Sequence, residues 1–134
     1  MAGDGVDEIV YRRMDNINNN VPDYLAEYTF EGRWEKVIEI YNDSPEVHTA
    51  MISKHEGTAL HMAVDLYEEQ VIAKLVDAII RHGTVYKALT KANEVGDTPL
   101  HVAASRGFAK LCKCIIGGNN ERIDLMSEKN NLME

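Results

Sequence analysis

The feature that most constrains this chain is an internal repeat. Thr98-Pro99-Leu100-His101-Val102-Ala103-Ala104 stands forty residues after Thr58-Ala59-Leu60-His61-Met62-Ala63. Two copies of one pattern imply one supersecondary unit used more than once, and such units stack because none buries its apolar face alone. Each copy is written for a helix start. The Thr suits an N-cap, and the Pro or Ala after it suits the first helical position. Leu and Ala then recur on one face. A second helix should follow, with Val71, Ile72, Leu75, Val76 and Ile79 inward in one copy and Leu111, Cys112, Ile115 and Ile116 in the other. Spacings of three and four residues are helical.

A weaker copy runs from Leu25 through Gly32-Arg33-Trp34-Glu35-Lys36-Val37-Ile38. Its second helix would bury Trp34, Val37, Ile38 and Tyr41. It lacks the Thr-Pro-Leu-His heptad and reads as an N-terminal cap. In this copy and the last, Gly32 and Gly107 stand where a helix should end.

The two heptads, with Gly96 before one of them and Gly107 after it, resemble the ankyrin-repeat signature. The resemblance covers residues 22–134. It implies an all-α solenoid of about three stacked helix-turn-helix units joined by short hairpin loops. The units fall at 22–52, 53–92 and 93–127, followed by the start of a truncated fourth. Residues 1–21 form a polar, partly disordered segment, with a helical turn or two between Asp7 and Met14. A narrower resemblance rests on Phe30-Glu31-Gly32-Arg33-Trp34-Glu35-Lys36-Val37 and Leu111-Cys112-Lys113-Cys114-Ile115. These are similar to the repeats of plant ankyrin proteins in which a C-terminal multi-helix membrane domain, the PGG domain, follows the array. It implies the cytosolic part of a stress- or immunity-related protein whose full-length relatives sit at the plasma membrane.

The chain departs from that pattern in places. An ankyrin unit repeats about every 33 residues, whereas Leu25 to Leu60 is 35 and Leu60 to Leu100 is 40. The second unit should therefore hold an insertion within Arg81 to Lys91, with an extra short turn at Val85 to Leu89. Tyr67 replaces the usual Gly, and a left-handed backbone there would be strained. The expectation is a rebuilt turn. Ile123 to Asn131 resembles the run-up to a fourth repeat, so the apolar face from Leu111 to Ile116 is expected to lie partly uncovered.

Charge narrows the partners. The net charge of -8 repels phosphate backbones and anionic lipid surfaces, and favours a basic or amphipathic protein segment. Nucleic-acid binding and direct membrane insertion are not expected, because no stretch approaches the roughly 18 apolar residues of a span. Two cysteines two positions apart give no disulfide framework, and with no signal peptide they suggest the cytoplasm.

No catalytic group stands out, and no metal or cofactor is expected. His61 and His101 recur at one repeat position without a nucleophile in register, which marks them as structural. Together with Thr58, Leu60, Thr98, Pro99, Leu100 and Gly107 they form the repeat's framework. Cys112 and Cys114 point about 200° apart on a helix and cannot share an ion from there. One is expected to pack between units and the other to lie half exposed. The resemblance implies that partners meet a concave face flanking the hairpin glycines and the ends of the first helices. Those positions are Phe30, Glu31, Lys54, His55, Asp65, Leu66, Glu94, Val95, Asp97, Ser105 and Arg106. The function implied is a protein–protein interaction module. The alternative is a stand-alone adaptor or decoy that pairs with full-length relatives through the uncovered face of the last unit.

Overall fold

The computed structural model describes residues 23–127. The expectations for residues 1–21 and for the start of a fourth repeat beyond residue 127 lie outside them. The described chain is mostly helical. The elements are α1 (Asp23–Phe30), α2 (Trp34–Asp43), a 3₁₀ turn (Pro45–Thr49), β1 (Met51–Ser53), β2 (Gly57–Thr58), α3 (Ala59–Asp65), α4 (Glu69–Arg81), α5 (Val85–Leu89), α6 (Pro99–Ser105), α7 (Ala109–Ile116) and a second 3₁₀ turn (Ile123–Ser127). Strands β1 and β2 pair antiparallel as a small ribbon before α3.

The helices pack in two rows. The first helices of the three units, α1, α3 and α6, pack side by side, and so do the second helices, α2, α4 and α7. Each first helix also packs on its own second helix. Leu25, Val37, Tyr41, Leu60, Ala63, Ile72, Leu75, Ile79, Ala103, Leu111 and Ile115 are the buried positions between the rows. The expected core of Trp34 and Val37 is buried, whereas Ile38 is only half-buried. Full burial of a Leu or Ile side chain is worth about 1.5–3 kcal/mol, so the inter-row seam dominates stability.

A third row lies beside the other two. The insertion anticipated between Arg81 and Lys91 is the helix α5, and it packs on the Pro45–Thr49 turn. The Ile123–Ser127 turn comes next, where Asp124 accepts a hydrogen bond from the Tyr86 hydroxyl of α5 at 3.1 Å. Every unit thus carries a short helical segment after its second helix. Val47, Leu89 and Leu125 each plug the core from this row. The extra length is a property of the whole array, not of the second unit alone.

Two expectations are corrected. The face from Leu111 to Ile116 is not left open. Leu111 and Ile115 have no exposed surface, because α7 packs on α4 and α6 and the chain turns back after Gly117. Arg122 then donates Nε to the Ile115 carbonyl at 2.8 Å, and its backbone N–H to the Ile116 carbonyl at 2.8 Å. A cation thereby sits against the otherwise unpaired carbonyls that end a helix.

The turn at Tyr67 is not rebuilt either. Tyr67 takes φ 56°, matching Gly32 and Gly107 at φ 73°. The reason is the hydrogen bonding. Glu68 N donates to Ala63 O at 2.9 Å, just as Arg33 N donates to Tyr28 O and Phe108 N to Ala103 O. This is the helix-ending pattern that needs a left-handed residue. A side chain there costs about 1–2 kcal/mol. The Tyr67 ring meets the Phe108 ring edge-on at 4.7 Å, a contact worth about 0.5–1.5 kcal/mol.

Candidate functional site

The heptads do what their chemistry suggests. Thr58 Oγ1 accepts from His61 N, and His61 Nδ1 accepts from Thr58 N at 3.0 Å. Thr98 and His101 repeat the arrangement, with Thr98 N to His101 Nδ1 at 3.0 Å. Both are reciprocal capping boxes with His in place of the usual Glu or Gln. Since Nδ1 accepts, the proton of His61 lies on Nε2, which donates to the Asp97 carbonyl at 2.8 Å. One imidazole therefore caps its own helix and holds the next unit's hairpin. His61 is buried, and burial pushes its basicity down, against the raising effect of the Asp97 carbonyl. Leu60, Leu100 and Pro99 are buried beside these boxes.

The loop that His61 reaches is built by Asn93, a residue the sequence reading passed over. Its Oδ1 accepts from Val95 N at 3.2 Å and from Asp97 N at 3.0 Å. The signal was present, since Asn three positions before Gly96 is turn chemistry. Gly96 takes φ 92° and Gly57 takes φ 98°. At Gly57 a Cβ would come within 2.7 Å of the His61 ring, so no side chain fits.

The eleven expected contact residues fall in two sets. Lys54, His55, Glu94, Val95 and Asp97 lie on the loops before α3 and α6. These loops touch, because Glu94 N donates to Lys54 O at 3.0 Å. The His55 and Glu94 side chains approach to 3.8 Å. Phe30, Glu31, Asp65, Leu66, Ser105 and Arg106 lie at the ends of α1, α3 and α6. Asp65 forms an ion pair with Arg106 of the next unit, and Glu31 lies 3.9 Å from Arg33. Ser105 donates within its own helix, to Val102 O. Phe30 and Leu66 are half exposed at 51% each, and Val95 is exposed at 44%. Asp97 is half-buried, and its backbone serves the loop. The surface sets the carboxylates Glu31, Asp65, Glu94 and Asp97 beside the cations Lys54 and Arg106, with apolar points between them. Its ion pairs are solvent-exposed, and such pairs are worth little on their own.

The two thiols differ from expectation. Neither is buried outright, and both pack partly against the core. Burial raises both above the ordinary thiol range, so neither is a poised nucleophile. Among the described residues no group of three His, Cys, Asp or Glu could hold a metal ion. No helix among them is long and apolar enough to cross a membrane.

Residues 95–126 match the family model of the ankyrin repeat. No curated protein and no solved structure matches the chain. The matched stretch holds the second heptad, both helices of the last unit and most of the turn that follows. It supports an ankyrin-repeat protein, a class whose repeats bind protein partners and are typically not enzymes.

Proposed function

We propose that the chain is a stacked ankyrin array that binds a basic, amphipathic protein segment across the face formed by its loops and first-helix ends. The observation that carries this reading is the joining of the second and third units at that face. His61 to Asp97, Glu94 to Lys54 and Arg106 to Asp65 all bridge these two units. A surface assembled this way is continuous over them and presents Leu66 and Val95 as apolar anchors, with Phe30 at the matching helix end of the first unit. A partner with alternating cationic and apolar positions complements it in charge and shape. The looser similarity at Phe30 to Val37 and Leu111 to Ile115 favours a role as the cytosolic repeats of a plant ankyrin protein that carries a PGG membrane domain. The pairing alternative loses its motive, because Leu111 and Ile115 are covered.

The test is binding of a labelled basic amphipathic helical peptide, read by fluorescence anisotropy at two salt concentrations. Glu31→Lys with Glu94→Lys should weaken binding about tenfold or more, since like charges then face one another. Circular dichroism should show the fold intact. Equal affinity in the double variant, or binding insensitive to salt, overturns the reading.

A further inference from the structure

Two histidines that the binding surface does not use meet at the end of α2. The Nε2 of His48 lies 2.8 Å from the Tyr41 carbonyl, and the Nε2 of His82 lies 2.7 Å from the Asn42 carbonyl. These are consecutive carbonyls in the last turn of a helix, where no intrahelical donor remains. The two rings lie 5.5 Å apart, edge to face. His48 is buried and stacks on the Tyr41 ring at 4.8 Å. Its Nδ1 stands 2.7 Å from the Thr84 hydroxyl, at the start of α5. With Nε2 donating to a carbonyl, Nδ1 of the neutral ring accepts, and Thr84 donates. Arg81 completes the joint by donating to Asn42 Oδ1 at 2.6 Å.

A second proton on His48 would sit on Nδ1 and face a hydroxyl that already donates. Thr84 would have to turn its proton to the Ile79 carbonyl, 3.4 Å away, at the edge of hydrogen-bond reach. The surroundings do not compensate. Burial is the largest influence, and it holds His48 below the usual histidine range; His82 also opposes the charge, while the Tyr41 carbonyl and Glu46 favour it. From α4 come Arg81, already paired with Asp77, and from α5 the exposed Lys87. Helix α2 brings Tyr41 and, at its exposed end, Asp43.

We propose that this joint is an acid-sensitive switch: protonation of His48 releases Thr84 and α5 from the Pro45–Thr49 turn and loosens the first unit from the second. The neutral ring belongs to the closed joint. Closure is complete above the ordinary histidine value of about 6.5, and weakens as pH falls from there toward the depressed folded value. The change is local, since the contacts of His48 are to Tyr41, Thr84 and His82 and lie away from α7.

Amide hydrogen exchange by NMR at pH 7.5 and 5.5, corrected for intrinsic rates, tests it. Ala88 N and Thr90 N bond to Thr84 O and Tyr86 O within the insertion, whereas Cys112 N and Gly117 N report on α7. Opening linked to one proton gains at most about tenfold per pH unit, so protection at Ala88 and Thr90 should fall about threefold or more. Cys112 and Gly117 should change far less. His48→Gln keeps a donor for the Tyr41 carbonyl without titrating, and should abolish the response. The His48 Cε1–H shift, followed in the native chain, should titrate below about 6.5, at the acid end of the interval over which protection is lost. Unchanged protection, equal loss at all four amides, an undiminished response in His48→Gln, or a shift that titrates at or above about 6.5 each overturn the proposal.

Discussion

Replacing His61 by Ala removes three contacts at once: Thr58 N at 3.0 Å, the Thr58 hydroxyl at 2.9 Å and the Asp97 carbonyl at 2.8 Å. A typical hydrogen bond contributes about 1 kcal/mol net, and a buried donor left without a partner costs a further 1–3 kcal/mol. Thr58 is 1% exposed, so water cannot take the place of the ring. The expected cost of His61→Ala is therefore about 4 kcal/mol, a large share of the 5–15 kcal/mol that holds a typical domain together. Urea denaturation followed by circular dichroism at pH 7.5 measures it. A cost below about 1 kcal/mol for His61→Ala refutes the argument that His61 joins the units. The same residue predicts a pH effect. Burial depresses the folded value of His61, so its contribution is whole above about 6.5 and is lost as pH falls through the interval down to the folded value. The slope of stability between pH 7 and 5 should be shallower in His61→Ala than in the native chain.

The remaining predictions concern two closely packed turns. Gly57→Ala places a Cβ 2.7 Å from the His61 ring at φ 98°, and should cost more than about 2 kcal/mol in a urea melt. Gly32→Ala, at φ 73° with open space around it, should cost only the backbone penalty of about 1 kcal/mol; equal costs would show that the ring contact does not matter. Leu125→Ala should cost about 2–4 kcal/mol, since Leu125 is 2% exposed. A cost near zero would mean that the Ile123–Ser127 turn does not cover the end of the core.

The parts of this fold that were readable are those whose chemistry is local. A Thr just before a Pro or Ala and a run of Leu and Ala can cap a helix wherever it occurs, so both N-caps followed from the heptads alone. The row of short helices was harder to see. Five residues make little more than one turn, too few for a periodic apolar stripe. Only α5 announced itself, because the forty-residue gap between heptads exposed its surplus length. Val47 and Leu125 carry one apolar plug each, and one buried aliphatic does not mark a helix. Tyr67 misled for another reason. The rule that a left-handed turn wants Gly is a statement of cost, and here two backbone bonds and the Phe108 ring outweigh it. The loop positions can be listed from the sequence as residues, yet their pairing across units depends on stacking, which no single segment encodes.

The joints between units show why the first unit can lack a heptad. His61 reaches the Asp97 carbonyl 36 residues on, and His82 reaches the Asn42 carbonyl 40 residues back. Both send an imidazole to a backbone oxygen one repeat away. A carbonyl is present whatever the side chain, so the receiving unit is free to diverge at that position. The first unit uses that freedom: it has no Thr-Pro-Leu-His, and it is held from the other side by a histidine of its neighbour. Units joined through side chain to backbone need only one imidazole per joint. That leaves the loop side chains, from Lys54 to Asp97, to vary with the partner while the stacking stays the same.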